Sequence, residues 1–533
     1  MSLVTKGDFV VSKVVVAVRR IPEGRRCAAT TAAFRRTTAP PHSIVNHVPD
    51  FLPQYLRVRA GRSRDSPGPR WKTTGLFTWL FSQLGFRCAP PTYIFSQLVF
   101  NNREVALVLL ILTILAFLLT LAAAGFVYLT VIVNAEANRD DAIVSVPPIE
   151  KDADAFMRAL AGAVAQHVLG GNEMTLLQNG VEIFPALFDA MAAARESIHF
   201  STFIYEPGRV PKRFADALSA AARRGIEVRV VLDSRGSKTI PPALITQMRE
   251  AGCQVRWFRA IQWFNWAKYN HRSHRKLLIV DGKLAFTGGV GIADEWDGNG
   301  DSPAHWRDTH VRIAGPAVAV VQAAFVDTWN EATGELPIGE KVFPILARAG
   351  GVGICAIQSN PTNATSDARR SMAALIAGSS RRLWISNAYF IPTPPFTKAL
   401  ADAKARGVDV KILVPGQYHD QPAVRRAGRR TWPALLRGHV ELYEFQPTMI
   451  HTKTVVVDGA VTSIGSINFD PRSFALNAEF GVVALDRGIA VQMEEAFVRD
   501  VGRARRVTTE DLERLSLWQK ILDTVCYWIR AQL

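Results

Sequence analysis

The chain has 533 residues, enough for two or three domains with sizeable cores. Its five cysteines form no Cys-x-x-Cys pair and no regular framework, which argues against a disulfide scaffold or a cysteine zinc site. The net charge is +16, but residues 1–104 hold 16 Lys and Arg against 5 Asp and Glu, so the remaining chain is near neutral and lacks the basic body of a nucleic-acid-binding protein.

Residues 1–104 are rich in Arg, Pro and Ser, as over 61–70, and show no sustained periodicity. Such a composition is expected to be disordered, with contact to acidic lipid head groups as the functional alternative. Residues 105–133 follow, 29 positions without a charge. About 20 apolar residues suffice to cross a bilayer core, so this segment reads as a transmembrane helix. Ala135-Glu136-Ala137 resembles a cleavage site and leaves a removed leader as the other reading. Arg87 and Arg103 precede the span, and Asp140 and Asp141 follow it, which favours a cytoplasmic N-terminus and a body on the non-cytoplasmic side. Residues 134–150, polar and closing on Pro147-Pro148, read as a linker.

From Lys151 one order of elements occurs twice, over 151–345 and 346–510. An alternating strand at 197–205 matches one at 383–391. A helix ending at Gly225 matches one ending at Gly407, and glycine suits a helix C-cap. Strands at 226–232 and 408–414 follow, then glycine-led strands at 252–257 and 438–443. Next come His274-Arg275-Lys276, closing at Asp281, and His451-Thr452-Lys453, closing at Asp458; both read His-x-Lys-x4-Asp. Each is followed by an apolar stretch and a glycine, at 284–289 and 461–466. Alternating strands and helices indicate an α/β architecture. Before the first string, residues 257–269 interleave aromatic and basic side chains, suiting a bilayer interface or a loop packed over a site. Arg425–Arg430 offers a basic run able to hold an anionic head group, or a solvated face. At 511–533, Leu515, Trp518, Leu522, Val525 and Ile529 recur at helical spacing, and this amphipathic helix is expected to pack on the core rather than on a membrane.

Residues i and i+2 of a strand share a face, so His274 points with Lys276, and His451 with Lys453. Two such pairs meeting at a pseudo-twofold interface suit phosphoryl transfer. The lysines can hold the equatorial oxygens where charge builds. One histidine can attack phosphorus while the other protonates the leaving oxygen, with neither metal nor other cofactor. Each histidine needs a partner for its second ring nitrogen, and Asp308 and Glu479, both ahead of strand-like stretches, are the candidates. Asp281 and Asp458 are grouped with the catalytic residues because they complete the two strings, although their odd offset beside glycines suits turn anchors.

Over residues 175–510 the chain resembles the phospholipase D superfamily, and within it the bacterial cardiolipin synthases. The resemblance rests on the two His-x-Lys-x4-Asp strings, Gly465-Ser466-Ile467-Asn468, the 306–318 segment beginning Trp306-Arg307-Asp308, Thr287-Gly288-Gly289, Tyr389-Phe390-Ile391-Pro392 and the 472–479 segment. It implies an α/β fold of two pseudo-twofold-related phospholipase D-type halves, each a mixed sheet flanked by helices, behind an N-terminal transmembrane helix. His274 would be the nucleophile, forming a phosphohistidine, and His451 the general acid and then base. Lys276, Lys453, Ser466 and Asn468 would hold the phosphate oxygens, and Asp308 and Glu479 would orient the histidines. The family reaction joins two phosphatidylglycerol molecules into cardiolipin and releases glycerol. The implied substrate is an anionic phospholipid and the implied place a single-pass protein of the bacterial inner membrane, with no nucleic-acid partner. One departure stands out: the first half has Gly289-Val290-Gly291 where the second has Ser466-Ile467-Asn468, and related synthases usually keep Asn at the place of Gly291. Backbone N–H groups or Asn299 are the expected substitutes. A hydrolytic phospholipase D, a nuclease of the superfamily and a non-catalytic lipid-binding module remain the competing readings.

Overall fold

The computed structural model describes residues 102–137, 145–260, 270–360 and 366–533. The basic region up to 101, linker positions 138–144 and positions 261–269 of the aromatic–basic stretch lie outside the described residues. Helix α1 spans Asn102–Ala137, and its section 106–128 is apolar and long enough to cross a membrane. Within it the hydroxyls of Thr113 and Thr120 donate to the carbonyls of Leu109 and Ala116, so both are satisfied inside the helix.

The body is organised on one fifteen-stranded sheet. The first half supplies β1 (Val168–Gln178), β2 (Ser197–Thr202), β3 (Glu227–Asp233), β4 (Gln254–Phe258), β5 (Leu277–Val280), β6 (Leu284–Gly288) and β7 (Thr309–Ala314). The second supplies β8 (Val352–Ser359), β9 (Arg382–Asn387), β10 (Asp409–Pro415), β11 (Glu441–Phe445), β12 (Lys453–Val457), β13 (Val461–Gly465) and β14 (Glu479–Leu485), with β15 (Ala504–Arg506) added at the edge. The order runs β15-β11-β10-β9-β12-β13-β14-β8-β1-β7-β6-β5-β2-β3-β4, so the two sets mirror each other about an antiparallel β1–β8 seam. In each half three strands run parallel (β2, β3, β4 and β9, β10, β11) and the rest pair antiparallel, giving the mixed sheet.

Alternation along the strands sorts the core into layers. On β5, Leu278 and Val280 join a first-half core with Phe184, Phe200, Phe214 and Trp296, beneath α3 (Asn179–Ala193), α4 (Arg209–Arg223) and α5 (Pro242–Glu250). Their neighbours Leu277 and Ile279 face the other way, into a core shared across the seam with Ile354, Val456, Phe480 and Val482. Helices α6 (Val318–Thr333) and α12 (Arg487–Val501) cover that shared layer, through Phe325 and Trp329 on one and Ile489 and Met493 on the other. The second-half core holds Leu383, Ile412 and Phe469 with α7 (Asp367–Gly378) and α8 (Pro394–Ala405).

Two features differ from the sequence expectation. Helix α2 (Ala153–Ala163) opens the 151–345 stretch, yet Phe156, Met157 and Leu160 pack into the second-half core beside Leu375 and Leu383. In space it belongs to the other half. At the C-terminus, 511–533 is not one core-packed helix. Helices α9 (Pro422–Arg429), α10 (Trp432–Arg437) and α11 (Pro471–Ala475) precede it, and the end itself is α13 (Thr509–Glu513) followed by α14 (Leu517–Trp528). Ser516 caps α14 reciprocally with Gln519. The helix docks on α9 through Asp523, which accepts from Arg429 Nε and Nη2, each at 2.6 Å. That pair fixes its rotation, so Leu517 and Trp518, 74% and 73% exposed, face outward together with Ile521, Leu522, Val525 and Trp528. The basic run beside it is engaged internally: Arg426 and Arg429 face Asp523, and Arg425 donates to Glu444.

Candidate active site

The two strings enter the sheet alike. Lys276 precedes β5 and Lys453 opens β12, and the strands after them are wholly buried. Each histidine is pinned to the opposite half before its strand begins. His274 N–H donates to Ala478 O at 2.9 Å, and His451 N–H donates to Arg307 O at 2.7 Å. The side chains repeat the exchange. His274 Nδ1 lies 3.0 Å from Glu479 Oε2, and His451 Nδ1 lies 2.9 Å from Asp308 Oδ2. The sequence named both acids; the structure pairs each with the histidine of the other half. An Nδ1–H that donates to a carboxylate leaves Nε2 as the free lone pair.

The lysines are buried and tucked beneath their own histidines: Lys276 Nζ donates to His274 O at 3.0 Å, and Lys453 Nζ to His451 O at 2.6 Å. Each ammonium faces an aromatic ring at 5.8 Å, Phe203 for Lys276 and Tyr389 for Lys453. Burial, and then repulsion from Lys453, pulls Lys276 down to about 7. Burial pulls Lys453 down to about 8 against the pull of Asp308. Burial also lowers His274, opposed by Glu479, and lowers His451 further with Lys453 beside it. Burial raises Asp308, whereas Glu479, despite its burial, is held low by His274. Burial thus favours neutral imidazoles and makes the two ammonium groups beside them costly to charge, an arrangement that an entering anion relieves.

Three sequence assignments change. Asp281 and Asp458 take no part in the site. Asp281 accepts the backbone N–H groups of Arg195, Glu196 and Ser197, and Asp458 those of Ser380, Arg381 and Arg382. Both sit at φ 53° ahead of glycines at φ 61° and 64°, a left-handed Asp-Gly pair inside a three-residue hairpin loop between Val280 and Leu284 and between Val457 and Val461. They tie turns to the neighbouring strand and are not catalytic. Ser466, assigned to phosphate, is fully buried and donates to Glu479 Oε2 at 2.5 Å, while its carbonyl sits 3.0 Å from His274 Nδ1. It positions the His274–Glu479 pair, helped by Ser473, which donates to Glu479 Oε1 at 2.7 Å. Asn468 is buried, lines the cavity over His274, and its Oδ1 has no protein partner.

The glycines of the first half also find a cause. A Cβ on Gly289 would lie 2.2 Å from Asp308 Oδ1, and one on Gly291 would lie 2.9 Å from Ile204 Cβ and 3.1 Å from the Trp296 ring. Trp296 Nε1 donates to Asp308 Oδ2 at 2.9 Å, the service Ser466 gives Glu479 in the other half. An indole thus replaces the hydroxyl. Asn299 is not a substitute, being bonded to Asn179 instead. The result is an asymmetric site. His451 is walled by Trp296, Trp306 and Tyr389, with ring centroids at 5.2, 5.8 and 6.2 Å. His274 opens instead onto a cavity of about 270 Å³ whose walls include Phe203, Tyr389, Asn468 and three arginines. Trp296 has no repeat counterpart and gave no sequence signal. Phe203 and Tyr389 occupy the same place in matched strands, so aligning the repeats finds both. Among the described residues no three His, Cys, Asp or Glu side chains converge as metal ligands.

Residues 187–312 and 372–501 match the family described as cardiolipin synthase, PLD-like domain. The chain is 35% identical to cardiolipin synthase A of Pseudomonas putida over 363 residues, covering 68% of this chain and 75% of that protein. It is 36% identical to cardiolipin synthase A of Pseudomonas entomophila (strain L48) over 363 residues, with the same coverage. Among solved structures, the phosphatidylserine synthase of Haemophilus influenzae Rd KW20 superposes with a TM-score of 0.56 at 13% identity, over 71% of this chain and 99% of that one, and so shares its fold.

Proposed function

Since the chain belongs to the cardiolipin synthase family of phospholipase D-like proteins, we propose that it is a membrane-bound phosphatidyltransferase that passes a phosphatidyl group from phosphatidylglycerol to an alcohol, through a phosphohistidine on His274. The observation that carries this reading is the crossed pairing of His274 with Glu479 and of His451 with Asp308, which holds each imidazole by Nδ1 on an acid of the other half and leaves each Nε2 for chemistry. His274 is the nucleophile because it faces the cavity. Its Nε2 forms the N–P bond as the bond from phosphorus to the glycerol oxygen breaks, and His451 supplies the proton to that oxygen. The acceptor hydroxyl then attacks phosphorus, gives its proton to His451, and the N–P bond breaks. Lys276, Lys453 and Asn468 hold the non-bridging oxygens through both steps. The diester's own charge offsets the pull of burial on His451 and so favours its protonated form when substrate is bound.

Residues 168–345, and residues 346–510 joined by α2, act as the two halves of this unit, and α1 ties it to the bilayer. We place the body on the non-cytoplasmic face, following the arginines before the span and the acids after it. The test is lipid mass spectrometry after expression of wild type, His274→Ala and His451→Ala in a host without cardiolipin. Cardiolipin is expected from wild type alone. Phosphatidic acid as the main product would make the protein a hydrolase, and a fully active His274→Ala would remove the nucleophile assignment.

A further inference from the structure

Outside α1, no described helix or strand carries more than two exposed large apolar side chains, with one exception: α14 presents Leu517, Trp518, Ile521, Leu522 and Val525 together. At ~100° per residue these five fall within an arc of about 140°. The opposite side of the helix is the one the body uses. Asp523 is buried there on Arg429, and Cys526 and Tyr527 pack with Val424 and Ala427 of α9. An apolar stripe of this width is therefore left for a partner other than the body.

Three observations identify that partner as a lipid bilayer. First, α1, apolar and long enough to cross a membrane, lies against α11 of the body, so the bilayer runs beside this part of the molecule. Second, α11 is tied to the segment that follows α14: Arg472 donates to Gln532 O, and Leu476, directly after α11, packs with Ala531. The apolar stripe is thus continuous with the place where the anchor meets the body. Third, of the two charged side chains in α14, Asp523 is buried and Lys520 exposed, so its outer surface offers anionic head groups a cation and no acid. Trp518, in the first turn, suits the depth at which indoles rest between head groups and acyl chains.

We propose that α14 lies flat in the interfacial layer of the bilayer that α1 crosses, as a second, lateral contact that seats the cavity over His274 on the lipid surface. Gln532 and Leu533, which follow α14, line that cavity together with Tyr389. A lipid can then pass from the leaflet to the cavity without its acyl chains entering water. The docking goes beyond the transfer reaction and does not depend on it, since it needs a lipid surface and no turnover.

The experiment uses the full chain reconstituted into vesicles of phosphatidylglycerol and phosphatidylcholine. A photo-reactive benzoylphenylalanine is placed at Leu522, at Leu118 within α1, or at Val491, an exposed residue of α12. After illumination, mass spectrometry reads the adducts. Burying even half of Trp518 and Leu522 shifts the helix roughly tenfold towards the docked state. Position 522 is accordingly expected to give lipid adducts in a yield close to that of 118 and roughly tenfold above that of 491. Trp518→Glu combined with Val525→Glu, which leaves the contacts with α9 in place, should bring the yield at 522 down towards that of 491. Equal yields at 522 and 491 overturn the docking, and so does a yield at 522 that the two glutamates leave unchanged. Adducts from 522 to protein, within the chain or between two copies, overturn it too by giving the stripe a protein partner. No step of the readout uses transfer activity, so a protein that makes no cardiolipin would sink the transferase reading and leave this result as it stands.

Discussion

At the scale of single residues, the site is two near-copies made unequal by one indole. Glu479 is held by hydroxyls and Asp308 by Trp296, so His274 opens onto the cavity with one ring, Phe203, beside it, while His451 sits against three aromatic rings. In the proposed reaction the buried lysines set the working pH. In the free enzyme they must be charged to receive the diester, and they sit near 7 and near 8 instead of the usual value above 10. The attacking histidine must be neutral, and burial keeps it so down to pH values under 6.5. A plot of kcat/KM against pH is therefore expected to fall on the acid side only below pH 6.5, and on the alkaline side as pH rises through about 7 to 8. Lys276→Arg, always charged, should move the alkaline limb up towards that of Lys453 even if its absolute rate is lower. The histidines and lysines were legible because they recur in a duplicated string, and Asp308 and Glu479 because each stands ahead of a strand-like stretch. Which acid serves which histidine was not, since that is a contact between segments 143 and 205 residues apart. Trp296 was invisible for a different reason: it compensates for missing side chains at Gly289 and Gly291, and only the space around those glycines reveals it.

Among the secondary elements, periodicity identified α14 as a helix and misjudged where its apolar side goes. The helix is oriented by the buried Asp523–Arg429 pair, and the pattern of leucines and tryptophans carries no information about that. Two outcomes follow. Replacing the exposed Trp518 and Leu522 by serine should leave the melting temperature within about 2 °C, as for other surface positions. Asp523→Ala should cost about 3 kcal/mol, because it leaves an arginine charge buried without its partner. Thermal and urea unfolding followed by circular dichroism compare the two, and a large loss in the serine variant would mean that this face is covered. The hairpin turns after β5 and β12 were better served by the sequence: an Asp-Gly pair between apolar strands prescribes the turn, and that local chemistry suffices to separate Asp281 and Asp458 from the catalytic set.

For the molecule as a whole, the repeat announced two halves and their internal order, but not that they would share one sheet. The β1–β8 seam, the shared layer beneath α6 and α12, and the transfer of α2 to the opposite core are all long-range packing events with no local signature. Together they weld the body. Many enzymes bring their catalytic groups together by closing two lobes around a bound ligand; here backbone pairing already fixes the spacing of the imidazoles. Paired spin labels on outward positions of α4 and α8 should then report one unchanging distance through substrate binding, trapping of the covalent intermediate and product release. A distance that shifts between those states would point to a hinge at the seam. With the jaws immobile, whatever gates a lipid's arrival must reside in the rim of the cavity, and the rate of turnover becomes a property of that rim more than of the frame behind it.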